Sequence, residues 1–300
     1  VKCLTMTTHK HRFQPDKIPQ RIVDNTRIEA VEIDTRIKAF DVVVNLFSSN
    51  SYNIERFEDE GFEAKLISIL EAETFDTVIL ESLFCAPYIA SIRKVSSAKI
   101  IVRAHNVEFQ IWEGLALGET SFIKKQYLKI LAKRLKAYEI QALNKADEIL
   151  CITEEDKYKF EQLGVATTIE VLPIGMNIKA LPYKLPKSTS VSMYHVGAMD
   201  WEPNVEGVNW FVDDIWPLLN EQFPELKCHL AGRKMPEYLI NQSKKNLTIE
   251  GEVESMKDFT LDKNVAVIPL LSGSGLRVKI VEALALGKVV VATSIGAMGI

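Results

Sequence analysis

Short apolar runs alternate with longer amphipathic ones along nearly the whole chain. Runs at 1–7, 27–33, 75–80, 98–102, 147–152 and 168–172 have the length and apolar character of strands. Between them, residues 51–70 carry helical spacing through Phe57, Phe62, Leu66, Ile69 and Leu70. Residues 122–143 are the longest amphipathic segment, with a predicted apolar stripe of Ile123, Tyr127, Ile130, Leu131, Leu135 and Tyr138. A helix over 154–163 is expected to start at Thr153 as its N-cap. Three prolines and little periodicity mark 173–190 as a connecting segment. Beyond it, strands at 191–197, 226–232, 247–250, 265–270 and 289–292 alternate with helices at 204–221, 236–244 and 253–259. A further helix carries Arg277, Lys279 and Glu282, and Asn204 is expected to cap the helix it opens.

Strands alternating with helices imply parallel sheets covered on both faces. The pattern thus predicts an α/β chain of two Rossmann-like, doubly wound domains facing a cleft. They span 1–175 and 191–300, with 176–190 between them. In such sheets ligands sit outside the carboxyl ends of the strands. That rule draws Glu81, His105, Gly197, Arg233, Glu252 and residues 272–275 towards one site.

Residues 270–293 hold the most chemistry. An apolar strand runs into Ser272-Gly273-Ser274-Gly275, and a helix with Arg277, Lys279 and Glu282 follows. A strand, a glycine-rich turn and a helix start aim free backbone N–H groups at an anion. Glycine lets that backbone approach phosphate oxygens closely. Glu282 follows Lys279 by three residues, so both project from one face, where the carboxylate can bond ribose hydroxyls. An ordinary strand–helix crossover with a solvent-facing charge pair is the competing reading.

At 300 residues, 47% hydrophobic and 25% charged, the chain has the makings of two globular domains. A net charge of −4 gives no electrostatic case for nucleic acid. Cys3, Cys85, Cys151 and Cys228 stand far apart, without the spacing of a zinc site or a disulfide framework, and a reducing cytoplasm is expected. His9 and His11 could begin a metal site but read better as a solvated loop. Helix 122–139 carries Lys124, Lys125, Lys129, Lys133, Arg134 and Lys136 against Glu139 alone. It is either a solvated face over core or a peripheral contact with the inner face of a membrane.

The segments RAHNVEFQIWEGLA (103–116), YHVGAMDWEPNVEGVNWF (194–211), HLAGR (229–233) and SGSGLRVKIVEALALGKVVVATSIGAMGI (272–300) resemble the family-4 retaining glycosyltransferases, glycosyl transferases of group 1. The resemblance implies the GT-B fold. It also implies that the chain lacks the family's first strand and closing segment and is truncated at both ends. A nucleoside diphospho-sugar is then the donor substrate, with no cofactor or metal, and a glycan or lipid-linked molecule is the acceptor.

Residue by residue, the resemblance places Glu282 on the ribose as the second glutamate of the family's E-x7-E motif. Ser274 stands where the first glutamate would be, a departure that leaves Ser274, Gly275 and Leu276 as backbone contacts. Arg277 or Lys279 meets the diphosphate, Arg233 approaches the phosphates, Val253 lies by the base, and Gly197 lies where a strand nears the donor. His105 is implied at the sugar's anomeric carbon, against the alternative of a capping or core histidine. Glu81 is a candidate for placing the acceptor, against a loop salt bridge. Glu108 and Trp112 are candidates for the same mouth, with a packed role expected for Trp112. The implied activity is hexosyl transfer with retention, in polysaccharide or glycolipid assembly. A non-catalytic nucleotide-sugar-binding subunit is the alternative. An epimerase or phosphorylase of the same fold matches less well, and no lysine motif for pyridoxal phosphate is present.

Overall fold

The computed structural model describes residues 1–177, 191–273 and 275–300. It divides into two units, Val1–Leu172 and Pro173–Ile300. Most of the expected linker, residues 178–190, lies outside the described residues.

In the first unit, β1 (Leu4–Thr7) and β2 (Glu29–Glu32) pair in parallel around α1 (Gln20–Thr26). Helices α2 (Ala39–Leu46), α3 (Tyr52–Glu55) and α4 (Glu60–Ala72) follow. The helical spacing seen over 51–70 is thus cut in two. Asp59 accepts a bond from the Phe62 amide and caps a new helix start. A second sheet, parallel throughout, has the order β3 (Thr77–Glu81), β4 (Lys99–Ala104), β5 (Glu148–Cys151), β6 (Ile169–Val171). Helices α5 (Ile89–Val95), α6 (Glu108–Gly118), α7 (Phe122–Leu143) and α8 (Glu154–Gln162) connect these strands. Thr153 caps α8 as expected, its hydroxyl accepting from the Asp156 amide at 3.0 Å. Ile100, Val102 and Ile149 from the sheet and Leu135 and Leu143 from α7 form the centre of the core.

The stripe expected on α7 is only half right. Leu131 and Leu135 are buried, but Ile123 is 82% exposed and Ile130 also faces out. The basic helix does keep an acid: Glu139 turns inward, and its carboxylate accepts from the amides of Glu108 and Phe109 at 2.9 and 3.1 Å. It caps α6, whose own N-cap, Val107, offers no side-chain acceptor. Burial pushes the Glu139 carboxyl up to about 8, against the pull of those two N–H donors.

The second unit is one parallel sheet in the order β11-β10-β7-β8-β9, comprising β7 (Ser192–Val196), β8 (Lys227–Ala231), β9 (Leu247–Gly251), β10 (Val265–Ile268) and β11 (Val289–Ala292). The chain winds outward from β7 to β9, then returns to lie on its other side as β10. The strand order therefore reverses between β7 and β10, which is where a doubly wound sheet opens a crevice. Helix α9 (Glu202–Trp210) continues through a π turn (Phe211–Ile215) into α10 (Trp216–Gln222). Pro217 accounts for the wide turn, because it has no N–H and its ring would strike the carbonyl four residues back. Helices α11 (Glu237–Ile240), α12 (Met256–Leu261) and α13 (Val278–Ala285) complete the unit. Trp216, Val208, Cys228 and Leu230 form its main core.

Candidate functional site

Every strand that ends beside the β7–β10 reversal delivers a wall residue. Gly197 and Ala198 follow β7, Gly232 and Arg233 follow β8, Glu252 and Val253 follow β9, and the loop after β10 leads to Leu276–Lys279 and Glu282. Together with Trp201, Asn204 and Met256 they enclose a cavity of about 510 Å³, within the range of small-molecule sites. Two backbone features make this geometry possible. A Cβ on Gly232 would lie 1.8 Å from the Gly197 carbonyl oxygen, so these loops touch main chain to main chain. In the turn ahead of α13, Gly273 has φ +107°, a conformation that side-chain-bearing residues rarely adopt, and it brings the turn against Arg277 and Trp201.

Of the residues expected to bind a donor, Gly197, Arg233, Val253, Leu276, Arg277, Lys279 and Glu282 all line this one cavity. Gly275 is buried outside its wall, and Ser274 lies outside the described residues. The cations differ in setting. The Arg277 guanidinium is buried and stacks over the Trp201 ring at 5.5 Å. Arg233 stands at 3.3 Å from Asp200, which also holds Lys234 at 3.3 Å. Lys279 is largely enclosed, and its ammonium donates to Asn204 Oδ1 at 3.1 Å. Burial, then the charge of Arg277, pushes Lys279 down to about 8. An ammonium held half-desolvated at a cavity wall is primed for an anion that would restore its charge balance.

Asn204 corrects the sequence reading. It is not the cap of α9, which starts two residues earlier at Glu202. It is buried within the first turn, donates Nδ2 to the Ala198 carbonyl at 2.8 Å, and presents its oxygen to Lys279. Behind it lies His195, 1% exposed, whose Nδ1 donates to the Val267 carbonyl at 2.8 Å. Burial and the nearby Lys279 charge push His195 down to about 3, so the imidazole is neutral. A Cβ at position 197 would lie 2.8 Å from its Nε2. His195 and Trp201 gave no functional signal in the sequence: one sits in an alternating strand, the other at a helix start.

In the first unit, β3 ends with Glu81 and β4 leads into His105, and these two side chains meet. Glu81 Oε2 lies 3.0 Å from His105 Nε2, and its Oε1 lies 3.5 Å from Arg103 Nη1. Ser82 fixes the turn out of β3 at φ 111° and ψ 152°, a region few side-chain-bearing residues adopt. On the other side, the Glu139 cap at Glu108 and Phe109 pins the loop that carries His105. Trp112 is packed against the core, as expected. Among the described residues, no three metal-ligating side chains cluster.

Residues 191–300 match the family described as glycosyl transferases group 1. A protein of the cps region of Klebsiella pneumoniae, known as an uncharacterized 44.6 kDa protein, is 25% identical over 251 residues, covering 79% of this chain and 62% of that one. The chain therefore spans less than two thirds of that relative. Among solved structures, HepE of Anabaena in complex with UDP superposes with a TM-score of 0.61 at 11% identity, over 100% of this chain and 82% of that one. S. aureus TarM, solved with UDP and alpha-GlcNAc-glycerol, gives 0.57 at 14% identity over 79% and 46%. OtsA gives 0.58 at 13% identity over 98% and 84%. At these identities the likeness shows the fold, that of the GT-B glycosyltransferases.

Proposed function

Because residues 191–300 match the glycosyl transferases group 1 family, we propose that this chain moves a hexose from a nucleoside diphospho-sugar to a glycan or lipid-linked acceptor, with retention of configuration, as a family-4 enzyme. The observation that carries the reading is the joining of Lys279, Arg233 and Glu282 in one cavity at the strand reversal.

In this reading the diphosphate meets Lys279, Arg233 and the amides that open α13, which no side chain caps. Arg277 holds the glycine turn through Trp201 rather than touching phosphate. Glu282 takes the ribose hydroxyls, Val253 and the backbone before it take the base, and His105, oriented by Glu81, acts on the donated sugar. As the glycosidic bond breaks, negative charge grows on the departing diphosphate. Fixed cations and backbone dipoles stabilise that charge without reorganising, as electrostatic preorganisation requires. The proposal assigns this work to protein cations rather than a metal. UDP-bound neighbours and a relative encoded in a cps region support uridine donors and polysaccharide assembly as the first things to test.

The test is turnover. Incubation of the chain with UDP- and GDP-sugars and extracts of glycan or lipid-linked acceptors should release one nucleoside diphosphate in an acceptor-dependent way. Donor binding without any release, across the panel, would instead indicate a non-catalytic binding subunit.

A further inference from the structure

Beneath the cavity wall of the second unit lies an imidazole with one nitrogen unused. His195 sits on β7, buried, and its Nδ1 meets the Val267 carbonyl of β10 at 2.8 Å. A carbonyl only accepts, so Nδ1 carries the proton and Nε2 is a bare lone pair. The neighbouring strand thereby fixes the tautomer. Nε2 itself is enclosed and has no hydrogen-bond partner, an arrangement that costs stability and calls for a reason.

The surroundings of that lone pair supply one. Gly197 separates it from the Asn204 amide: a Cβ there would lie 2.8 Å from Nε2 and 2.9 Å from both Cγ and Nδ2 of Asn204. The two side chains therefore converge on the space over one glycine. Asn204, also buried, donates from Nδ2 to the Ala198 carbonyl at 2.8 Å and accepts at Oδ1 from the Lys279 ammonium at 3.1 Å. Its amide has two orientations available. Turned over, it would set Oδ1 towards two acceptors, the Ala198 carbonyl and His195 Nε2, and its NH2 against an ammonium. Every neighbour selects the same orientation, and a neutral imidazole does so without adding charge beside Lys279 and Arg277. The other titratable groups around Lys279 are Glu282 on α13, Arg233 after β8, Glu252 after β9, Lys257 on α12 and Tyr194 on β7. Substitution at position 195 leaves all of them in place.

We propose that His195 is a positioning residue: its bare Nε2 fixes the way the Asn204 amide faces, and Asn204 in turn holds the Lys279 ammonium at the cavity wall. For its part in function the inference rests on the reading of this cavity as a diphosphate site, but the hold on Lys279 is measurable without any ligand.

NMR titration of isotope-labelled lysine side chains in the ligand-free chain, with Lys279 assigned by its loss in Lys279→Ala, tests it. The wild-type midpoint should lie near 8. His195→Asn keeps a donor for the Val267 carbonyl and removes the acceptor at Nε2. It should lower the midpoint by about one pH unit, the scale of a charge-assisted hydrogen bond, and weaken UDP binding several-fold at the wild-type midpoint. His195→Gln places an oxygen acceptor near the lost Nε2 and should restore both. Asn204→Leu should lower the midpoint as far, and adding His195→Asn to it should change nothing further, since the imidazole acts only through the amide. A midpoint unmoved in His195→Asn, or lowered equally by His195→Asn and His195→Gln, would overturn the proposal; a purely structural histidine would change the melting temperature alone. Where the histidine variants do not fold, Asn204→Leu decides, a lowered midpoint supporting the chain of contacts and an unmoved one overturning it. If UDP fails to bind the wild type while the midpoint still follows His195, the donor reading falls by itself. If UDP binds and the midpoint ignores His195, the positioning role falls by itself.

Discussion

Glu81 Oε2 stands 3.0 Å from Nε2 of His105, linking the tips of the neighbouring strands β3 and β4. A loop salt bridge and a functional carboxylate are the two alternatives for Glu81, and this contact is compatible with both. By occupying Nε2, the carboxylate fixes the plane of the ring and leaves Nδ1 as the nitrogen available to a substrate. Replacing Glu81 with Leu should then lower kcat by about a hundredfold, the scale on which misplacement of a catalytic group acts, while KM for the donor changes little. Glu81→Gln keeps an oxygen acceptor and should recover much of the loss. Steady-state kinetics of both variants checks this; equal activity of Glu81→Leu and wild type would remove Glu81 from the mechanism.

If Lys279 meets the diphosphate as proposed, donor binding should depend on pH. Its folded pKa is depressed to about 8 by burial and Arg277, and an arriving diphosphate favours the charged form. Affinity should therefore be steady below pH 8 and fall above it, approaching about tenfold per pH unit. Proton uptake on binding should appear in the same range. Calorimetry in buffers of different ionisation enthalpy measures both, and Lys279→Ala should show neither.

Glu139 acts on stability. Its folded pKa lies near 8, above the ordinary carboxyl value, so the folded state holds a proton that the unfolded chain releases. The stability linked to that proton is complete at acid pH and is lost as pH rises through 8. Urea unfolding of the wild type, followed by probes in the first unit, should show this decline between pH 5 and 8, and Glu139→Gln should flatten it. Glu139→Ala leaves two buried amides at the start of α6 without an acceptor, and should cost about 2 kcal/mol.

Much of this architecture is legible in the sequence because local and global preferences agree there. Helix α7 was readable to its ends from its long apolar repeat, and Thr153 from cap chemistry alone. The helical spacing over 51–70 resolves into two helices, α3 and α4, because periodicity cannot see the Asp59 cap that starts the second. Helix α2 went unread, since its Phe40, Val44 and Phe47 stripe is not spent on the core. At the candidate site, the order of strand, glycine turn and helix after β10 was legible, and it brings Arg277, Lys279 and Glu282 to one cavity wall. Asn204 was misread because a helix start explains an asparagine as readily as a lysine three strands away in sequence does. Only tertiary placement separates the two.

Gly232 gives a purely steric prediction. Its Cα faces the Gly197 carbonyl so closely that a methyl group would sit 1.8 Å from the oxygen. Gly232→Ala should destabilise the second unit by about 2–3 kcal/mol, the range of overpacking, and weaken nucleotide binding by parting the loops after β7 and β8. Thermal unfolding with and without nucleotide measures the two effects together.

The central claim is that the cavity of the second unit grips paired phosphates. Calorimetric titration of the whole chain with UDP, GDP and ADP, each beside its nucleoside, tests it most directly when repeated on Lys279→Ala. One diphosphate should bind the wild type well above its nucleoside, and the variant should lose at least about tenfold of that affinity while binding the nucleoside as before. Failure of every diphosphate to bind, or equal binding by the variant, would contradict the account.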